Sequence, residues 1–409
     1  MNPNTNALDR RQFTARALPV HLYSGDGALS HLPSELSQVD ARRAVILCGR
    51  SVHAKTGLIQ HIEQILGARC AGVFSEISEG APSECIERAA EFARDLACDA
   101  LIAVGAGSVI KGTRVVAMLM GEGMPLAEMA TRYGVDGKPV STRLHKPKIP
   151  IFNVLTAPTT AQNRAGSALR MSGSLHQLEF FDPKTRPKAI FWDPIALATA
   201  PASLISSTGV EVFFFALMGL GSAPQSNALV APSRTQAWQL AHAAMTQLDD
   251  LNSRLDLCAA AFLQNRDEDD GGQPLKTHLV ARAAYALSVA VFNRCEGLTQ
   301  SHGYAALSGA SVRKLGLLCD AAMSEIGTHL GIAPNQRDSG YLNRVASAID
   351  DAFVGFGWPV KLPAKSVRAV GVDELVSFAV RNYNANSDGA LTRHAELLTA
   401  TLLDSLADS

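Results

Sequence analysis

The chain has 409 residues, 47% hydrophobic and 18% charged, with a net charge of −1. That length exceeds one small core and predicts two domains, and the composition is that of a soluble globular protein rich in buried helix. No basic stripe stands out, which argues against a nucleic-acid partner, and the polar segment Met1 to Arg11 lacks the apolar core of a signal peptide.

In the first half, short apolar strands alternate with helical stretches. Leu18 to Tyr23 reads as a strand leading into Ser24-Gly-Asp-Gly27. Ala44 to Cys48 is the next strand, ending at Gly49, with a helix from Ala54 to Leu66 behind it. Cys70 to Phe74 is a third. Ser83 to Cys98 is helical, because Ile86, Ala89, Ala90, Ala93 and Leu96 recur on one side. Ala100 to Val104 is a strand, followed by a helix from Ser108 to near Met120. Gly121 to Lys148 reads as a polar crossing segment. Pro150 to Leu155 and Ala189 to Trp192 are further strands. Pro158 to Pro187, between them, is a hairpin excursion or a substrate-side loop. Strands spaced by such helices give a parallel sheet covered on both faces.

After Pro201 helical patterns dominate: Ser233 to Leu248, Leu275 to Phe292, Val312 to His329, Tyr341 to Phe353, Val372 to Asn382 and Leu391 to Leu406. Gly271-Gly272 and Pro359 to Pro363 are breaks. The expected division is an α/β dinucleotide-binding-type domain over 1–195 and an all-helical domain over 196–409, with a nucleotide in the cleft between them. Val210 to Leu220 is the most apolar stretch. It is too short to span a bilayer and holds Glu211, so no membrane partner is expected. Seven cysteines without a C-x-x-C read as buried thiols in a reducing cytoplasm.

The most informative stretch is Gly105-Ala106-Gly107-Ser108, between a strand and a helix. That geometry receives a phosphate on free backbone N–H groups. Gly105 and Gly107 permit a sharp turn and a close approach, and Ser108 can cap the helix or meet a phosphate oxygen. A full dinucleotide fingerprint needs a third glycine where Ile110 stands, so an ordinary strand-to-helix turn is the alternative.

These residues bring the chain to a family. Gly105-Ala-Gly-Ser108 resembles the Gly-Gly-Gly-Ser diphosphate loop of the iron-containing (group III) alcohol dehydrogenases, which include the maleylacetate reductases. Ala157-Pro-Thr159-Thr160-Ala161 resembles their nucleotide-contacting Pro-Thr-Thr-Ala-Gly segment. Phe191-Trp-Asp-Pro194, Pro201, Thr208-Gly209 and His302-Gly-Tyr304-Ala305 keep the order and spacing of further landmarks. The resemblance implies a dehydroquinate synthase-like architecture, and a homodimer is expected. It also implies one Fe²⁺ or Zn²⁺ held by an Asp and three His, polarising the oxygen while hydride passes to or from nicotinamide.

Several family positions are changed. The Asp-x-x-x-His pair becomes Glu211 and Phe215, the third ligand falls on His302, and the fourth-ligand window Val312 to Gly316 has no histidine. The non-ligand histidine position is Ala306. No tightly bound metal is expected, although His278, His329, Glu296 and Asp320 remain possible substitutes. In the diphosphate loop, Lys111 stands for an Asp and Arg114 for a Lys. Ala106 costs about 1 kcal/mol or more only if its φ is positive. The bulky Gln162, Asn163 and Arg164 stand where backbone was exposed.

The leading expectation is an NAD(P)-dependent oxidoreductase interconverting a small alcohol and its aldehyde or ketone. His302, Tyr304 and Lys111 are its candidate catalytic groups. Cofactor binding falls to Arg50, Gly105, Ala106, Gly107, Ser108, Thr159 and Thr160. Arg50 stands where an Asp would repel a 2′-phosphate, so NADP(H) is expected over NAD(H). The alternative is a non-redox, metal-free enzyme or a silent binding protein using the same cleft, with Lys111, Arg114 and Arg164 drawing an anion.

Overall fold

A computed structural model describes Phe13, Ala15 and residues 18–134, 138–171, 177–222, 227–266, 277–333 and 338–407. The expected break at Gly271-Gly272 lies outside the described residues. The chain forms two compact units, one from Leu18–Ile205 with Leu248–Phe262, the other including Ser206–Gln247 and Leu263–Ser409.

The first unit is α/β. Its strands are β1 (His21–Ser24), β2 (Ala44–Cys48), β3 (Cys70–Phe74), β4 (Ala100–Gly105), β5 (Arg132–Tyr133), β6 (Pro139–Val140), β7 (Ile151–Leu155), β8 (Gly166–Arg170), β9 (Gln177–Phe181) and β10 (Ala189–Trp192). Six form one parallel sheet in the order β1-β10-β7-β4-β2-β3. The pairs β5–β6 and β8–β9 are separate antiparallel ribbons, so the hairpin excursion is what fills much of 158–187.

The pleat sends alternate side chains to opposite faces. Val45 and Leu47 join Ile86, Ala89 and Val116 beneath helices Ser83–Asp95 and Gly107–Glu122. Ala44, Ile46 and Cys48 join Leu36, Ile59 and Ile62 beneath helices Leu32–Gln38 and Leu58–Leu66. A strand covered on both faces must be apolar throughout, which is why Ala-Val-Ile-Leu-Cys carries no polar residue.

The second unit is helical. The helices Leu279–Arg294 and Gln300–Leu315 lie against each other at its centre. Gly303 permits their approach, since a β-carbon there would sit 2.7 Å from the Ser288 Cα. Helix Ala202–Leu220, most of which belongs to this unit, is long and apolar enough to cross a membrane by length and composition. It is longer than the Val210–Leu220 run in the sequence, because Ala202 to Gly209 extends it N-terminally. Its Val212, Phe213, Phe214 and Leu217 are buried in the protein, as expected of a core helix.

Some boundaries differ from the sequence reading. The helix expected over 54–66 is two, Arg50–Lys55 and Leu58–Leu66, because Thr56 is extended and bonds its hydroxyl back to the Val52 carbonyl. The helix expected over 312–329 ends at Leu315, passes through a 3₁₀ turn at Gly316–Cys319 and resumes at Asp320–His329. Helix Leu251–Leu263 replaces an expected gap.

Candidate functional site

In the sheet, β2 lies between β3 and β4. The chain leaves β2 toward β3 on one side, then crosses back to β4 on the other. Loops that depart in opposite directions open a crevice at the carboxyl ends of such strands, the usual ligand position in open α/β sheets. Cys48 pairs with Val104 and Gly105 with Leu155, so the ends of β2, β4 and β7 are level. The segments that follow are Gly49-Arg50, Ala106-Gly107-Ser108 and, beyond Leu155, Thr159-Thr160. The sheet therefore gathers the expected cofactor residues along one edge.

Ala106 has φ −104°, an ordinary extended backbone, so the missing glycine costs nothing there. Gly105 also lacks a positive φ. Its need is space, because a β-carbon would lie 2.6 Å from a Val109 methyl. Helix Gly107–Glu122 then presents its first N–H groups and the positive end of its dipole to the edge. The Ser108 hydroxyl accepts the Gly80 N–H at 3.1 Å, which ties the loop to the segment after β3. Lys111 is half-buried, and its Cε lies 3.8 Å from where a Gly107 β-carbon would stand, so its stem runs back toward the loop. The buried Thr159 hydroxyl accepts the Ala161 N–H at 3.1 Å, and Thr160 is buried beside it. Arg50 is exposed at the first turn of its helix.

Three residues behave differently from the sequence reading. Arg114 is 1% exposed and donates to the carbonyls of Gly166 (2.6 Å) and Ala161. It is an internal strut, not a surface cation awaiting an anion. Gln162 is fully buried, donating to the Cys258 carbonyl and accepting from Trp192 Nε1, both at 2.8 Å. Asn163 is buried too. These side chains turn into the core of the sheet unit instead of filling its edge.

Two contributors escaped the sequence reading, Gly80 and Arg170. Arg170 donates its N–H to the Gly80 carbonyl at 2.9 Å, and its Nε lies 3.1 Å from where a Gly80 β-carbon would be. Gly80 itself has φ +76°. A Gly followed by an Ala-Pro pair was the available turn signal. Nothing local marks Arg170.

In the helical unit, Glu211 and Phe215 stand one turn apart on Ala202–Leu220. Phe215 packs edge-on against Tyr304 (5.8 Å) and beside Tyr285 (6.0 Å), while Phe214 stacks on Tyr304 at 4.0 Å. Tyr304 is fully buried, and its hydroxyl accepts from Gln300 Nε2 at 2.5 Å. His302 lies in the first turn of helix Gln300–Leu315, where it completes a capping box with Thr299. Its imidazole meets the Trp358 ring edge-on at 5.0 Å, and burial holds its pKa below the usual histidine value. Gly303 beside it serves helix packing against Ser288 rather than approach to a ligand.

The family's four-ligand metal site does not fit these residues. Phe215 offers no donor, and Val312 and Leu315 of the fourth-ligand window are buried within a helix. Of the possible substitutes, His278 bonds the Met218 carbonyl through Nε2 (3.0 Å) and accepts the Ala281 N–H at Nδ1 (3.3 Å). His329 lies 3.5 Å from Glu325 on its own helix. Among the described residues no group of three or more His, Cys, Asp or Glu could hold a metal ion.

Residues 19–194 match the family model for iron-containing alcohol dehydrogenases. The chain is 25% identical over 246 residues to 4-hydroxybutyrate dehydrogenase of Cupriavidus necator, covering 59% of this chain and 63% of that protein. It is 28% identical over 219 residues to maleylacetate reductase 2 of Cupriavidus pinatubonensis, covering 54% of this chain and 52% of that protein. The chain thus spans half to under two thirds of the length of these curated relatives. Among solved structures, it resembles sulfoacetaldehyde reductase from Bifidobacterium kashiwanohense, solved with NAD⁺, at a TM-score of 0.79 and 16% identity, covering 97% and 100% of the two chains. Against the NADH-dependent butanol dehydrogenase A of Thermotoga maritima the TM-score is 0.77 at 16% identity, with coverage of 97% and 100%. Residues 19–194 thus match the iron-containing alcohol dehydrogenase family, relatives that include maleylacetate reductases match about half of the chain, and the fold is shared along nearly its whole length.

Proposed function

We propose that the protein is an NAD(P)-dependent oxidoreductase that interconverts a small alcohol and its aldehyde or ketone without the family's metal. The observation that carries this reading is the strand order, whose connections diverge between β2 and β4, with the Gly105–Ser108 loop opening a helix of 16 residues. In this reading the N–H groups of that loop take the dinucleotide diphosphate, and Thr159 and Thr160 flank it. Arg50 pairs with a 2′-phosphate, which favours NADP(H) over NAD(H). A bound nicotinamide supplies or accepts the hydride. Lys111 places positive charge near the loop, and His302 is the group proposed to handle the substrate oxygen, whereas Tyr304, expected beside it, is buried in packing. The protein would work in the cytoplasm as a homodimer on a small-molecule substrate, with neither nucleic acid nor membrane as partner.

The competing reading is a catalytically silent nucleotide-binding protein. Phe215 in a ligand position and His302 in a helix cap favour it. Calorimetric titration with NADP(H) and NAD(H), with and without Fe²⁺ or Zn²⁺, coupled to turnover of a panel of aldehydes, separates the two. The expected result is tighter binding of NADP(H), lost in Arg50→Ala, and turnover that added metal does not raise. Equal or tighter NAD(H) binding removes the role of Arg50. Binding without turnover of any aldehyde leaves the silent reading standing.

A further inference from the structure

We propose that Thr299 holds His302 in one neutral tautomer, with the proton on Nε2, and that this arrangement keeps a metal ion off the ring. The proposal does not depend on the oxidoreductase reading above.

The capping box carries the argument. The Thr299 N–H points at His302 Nδ1 at 3.2 Å, and the Thr299 hydroxyl lies 2.8 Å from the same nitrogen. In return, Thr299 Oγ1 accepts the His302 N–H at 3.4 Å. A backbone N–H can only donate, so Nδ1 must accept and cannot carry hydrogen. The proton of the neutral ring is then on Nε2, which has no hydrogen-bond partner among the described residues. Trp358 does not compete for it, because its indole N–H is given to Ser206 Oγ at 2.8 Å. An imidazolium would set an Nδ1–H against the Thr299 N–H. Burial disfavours the charged ring as well.

Two consequences follow from this geometry. A metal-bound histidine normally donates its second ring N–H to a carbonyl or carboxylate, which frees the first nitrogen for the ion. His302 has the reverse arrangement, with a donor facing Nδ1. The box that orients the ring therefore opposes metal binding at Nε2. It also removes the general-base role, since Nδ1 is occupied and Nε2 is already protonated.

The experiment uses the full-length protein labelled with ¹⁵N-histidine. Long-range ¹H–¹⁵N correlations at pH 7.5 should show His302 with Nδ1 unprotonated and Nε2 protonated, unchanged in Thr299→Ser and on adding Zn²⁺. An Nδ1-protonated ring, or Zn²⁺ ligation at Nε2, overturns the proposal.

Discussion

At the scale of single residues, His278 shows how burial sets chemistry. Its two nitrogens serve the Met218 carbonyl and the Ala281 N–H, and burial pushes its pKa down to about 4. The neutral ring is thus preferred in the folded state. The stabilisation is complete above the unfolded value of about 6.5 and is lost as pH falls toward 4. The difference corresponds to about 3 kcal/mol across that window. His278→Asn keeps a capping side chain for helix Leu279–Arg294 but cannot take up the proton. Urea midpoints measured at pH 7.5 and 5 should therefore fall for the wild type and change less for the variant. An equal fall in both would assign the acid sensitivity elsewhere.

At the scale of elements, the glycine loop divides its two glycines by function. Gly105 is required for packing, because its β-carbon would meet Val109 at 2.6 Å, whereas Gly107 has ordinary space, with Thr159 Oγ1 at 3.4 Å. Gly105→Ala should cost about 1–3 kcal/mol by overpacking, and Gly107→Ala should cost less than about 1 kcal/mol. Thermal unfolding of both variants checks this; equal losses would refute the distinction. The same contrast explains which elements can be read from sequence. β2 and β4 are short apolar runs between turn residues, so their limits stand out. Helix Gln300–Leu315 does not, since it is buried nearly all round and built from Ala, Ser and Gly, with no polar face to mark a 3.6-residue period. The place of His302 in a helix cap was consequently hidden. The direction of Gln162 was equally hidden, for its partners Trp192 and Cys258 are far away in the chain.

At the scale of the sheet unit, the polar crossing segment is anchored by buried charge. Lys148 has a fully buried side chain that pairs with Glu122 at 2.7 Å and Asp182 at 3.1 Å, and Lys184 pairs with Asp182 at 2.9 Å. Gly121 makes room, as a β-carbon there would strike the Pro147 carbonyl at 2.6 Å. Burial acts to raise the Glu122 pKa, but the Lys148 ammonium prevails and holds it below the usual value. Lys148→Met leaves two carboxylates buried without their shared cation, and should cost about 3–5 kcal/mol. Chemical denaturation gives the number, and a loss under about 1 kcal/mol would mean that solvent replaces the ammonium. The segment's polarity was legible as a crossing, but its burial was not, because the acids that neutralise it come from 26 and 34 residues away on either side.

The seven cysteines are free thiols, and burial raises their pKa values, to about 12 for Cys48 and about 11 for Cys98, with Cys258, Cys295 and Cys319 also raised. Alkylation requires thiolate and access, so the six buried sulfurs, all but the half-buried Cys70, are silent until the surrounding structure opens. Cys48, Cys98 and Cys258 belong to the sheet unit, and Cys295 and Cys319 to the helical one. The rate at which a maleimide reaches each group, resolved by peptide mass, therefore times the opening of each unit separately, and the wild-type chain carries both clocks without a single introduced label.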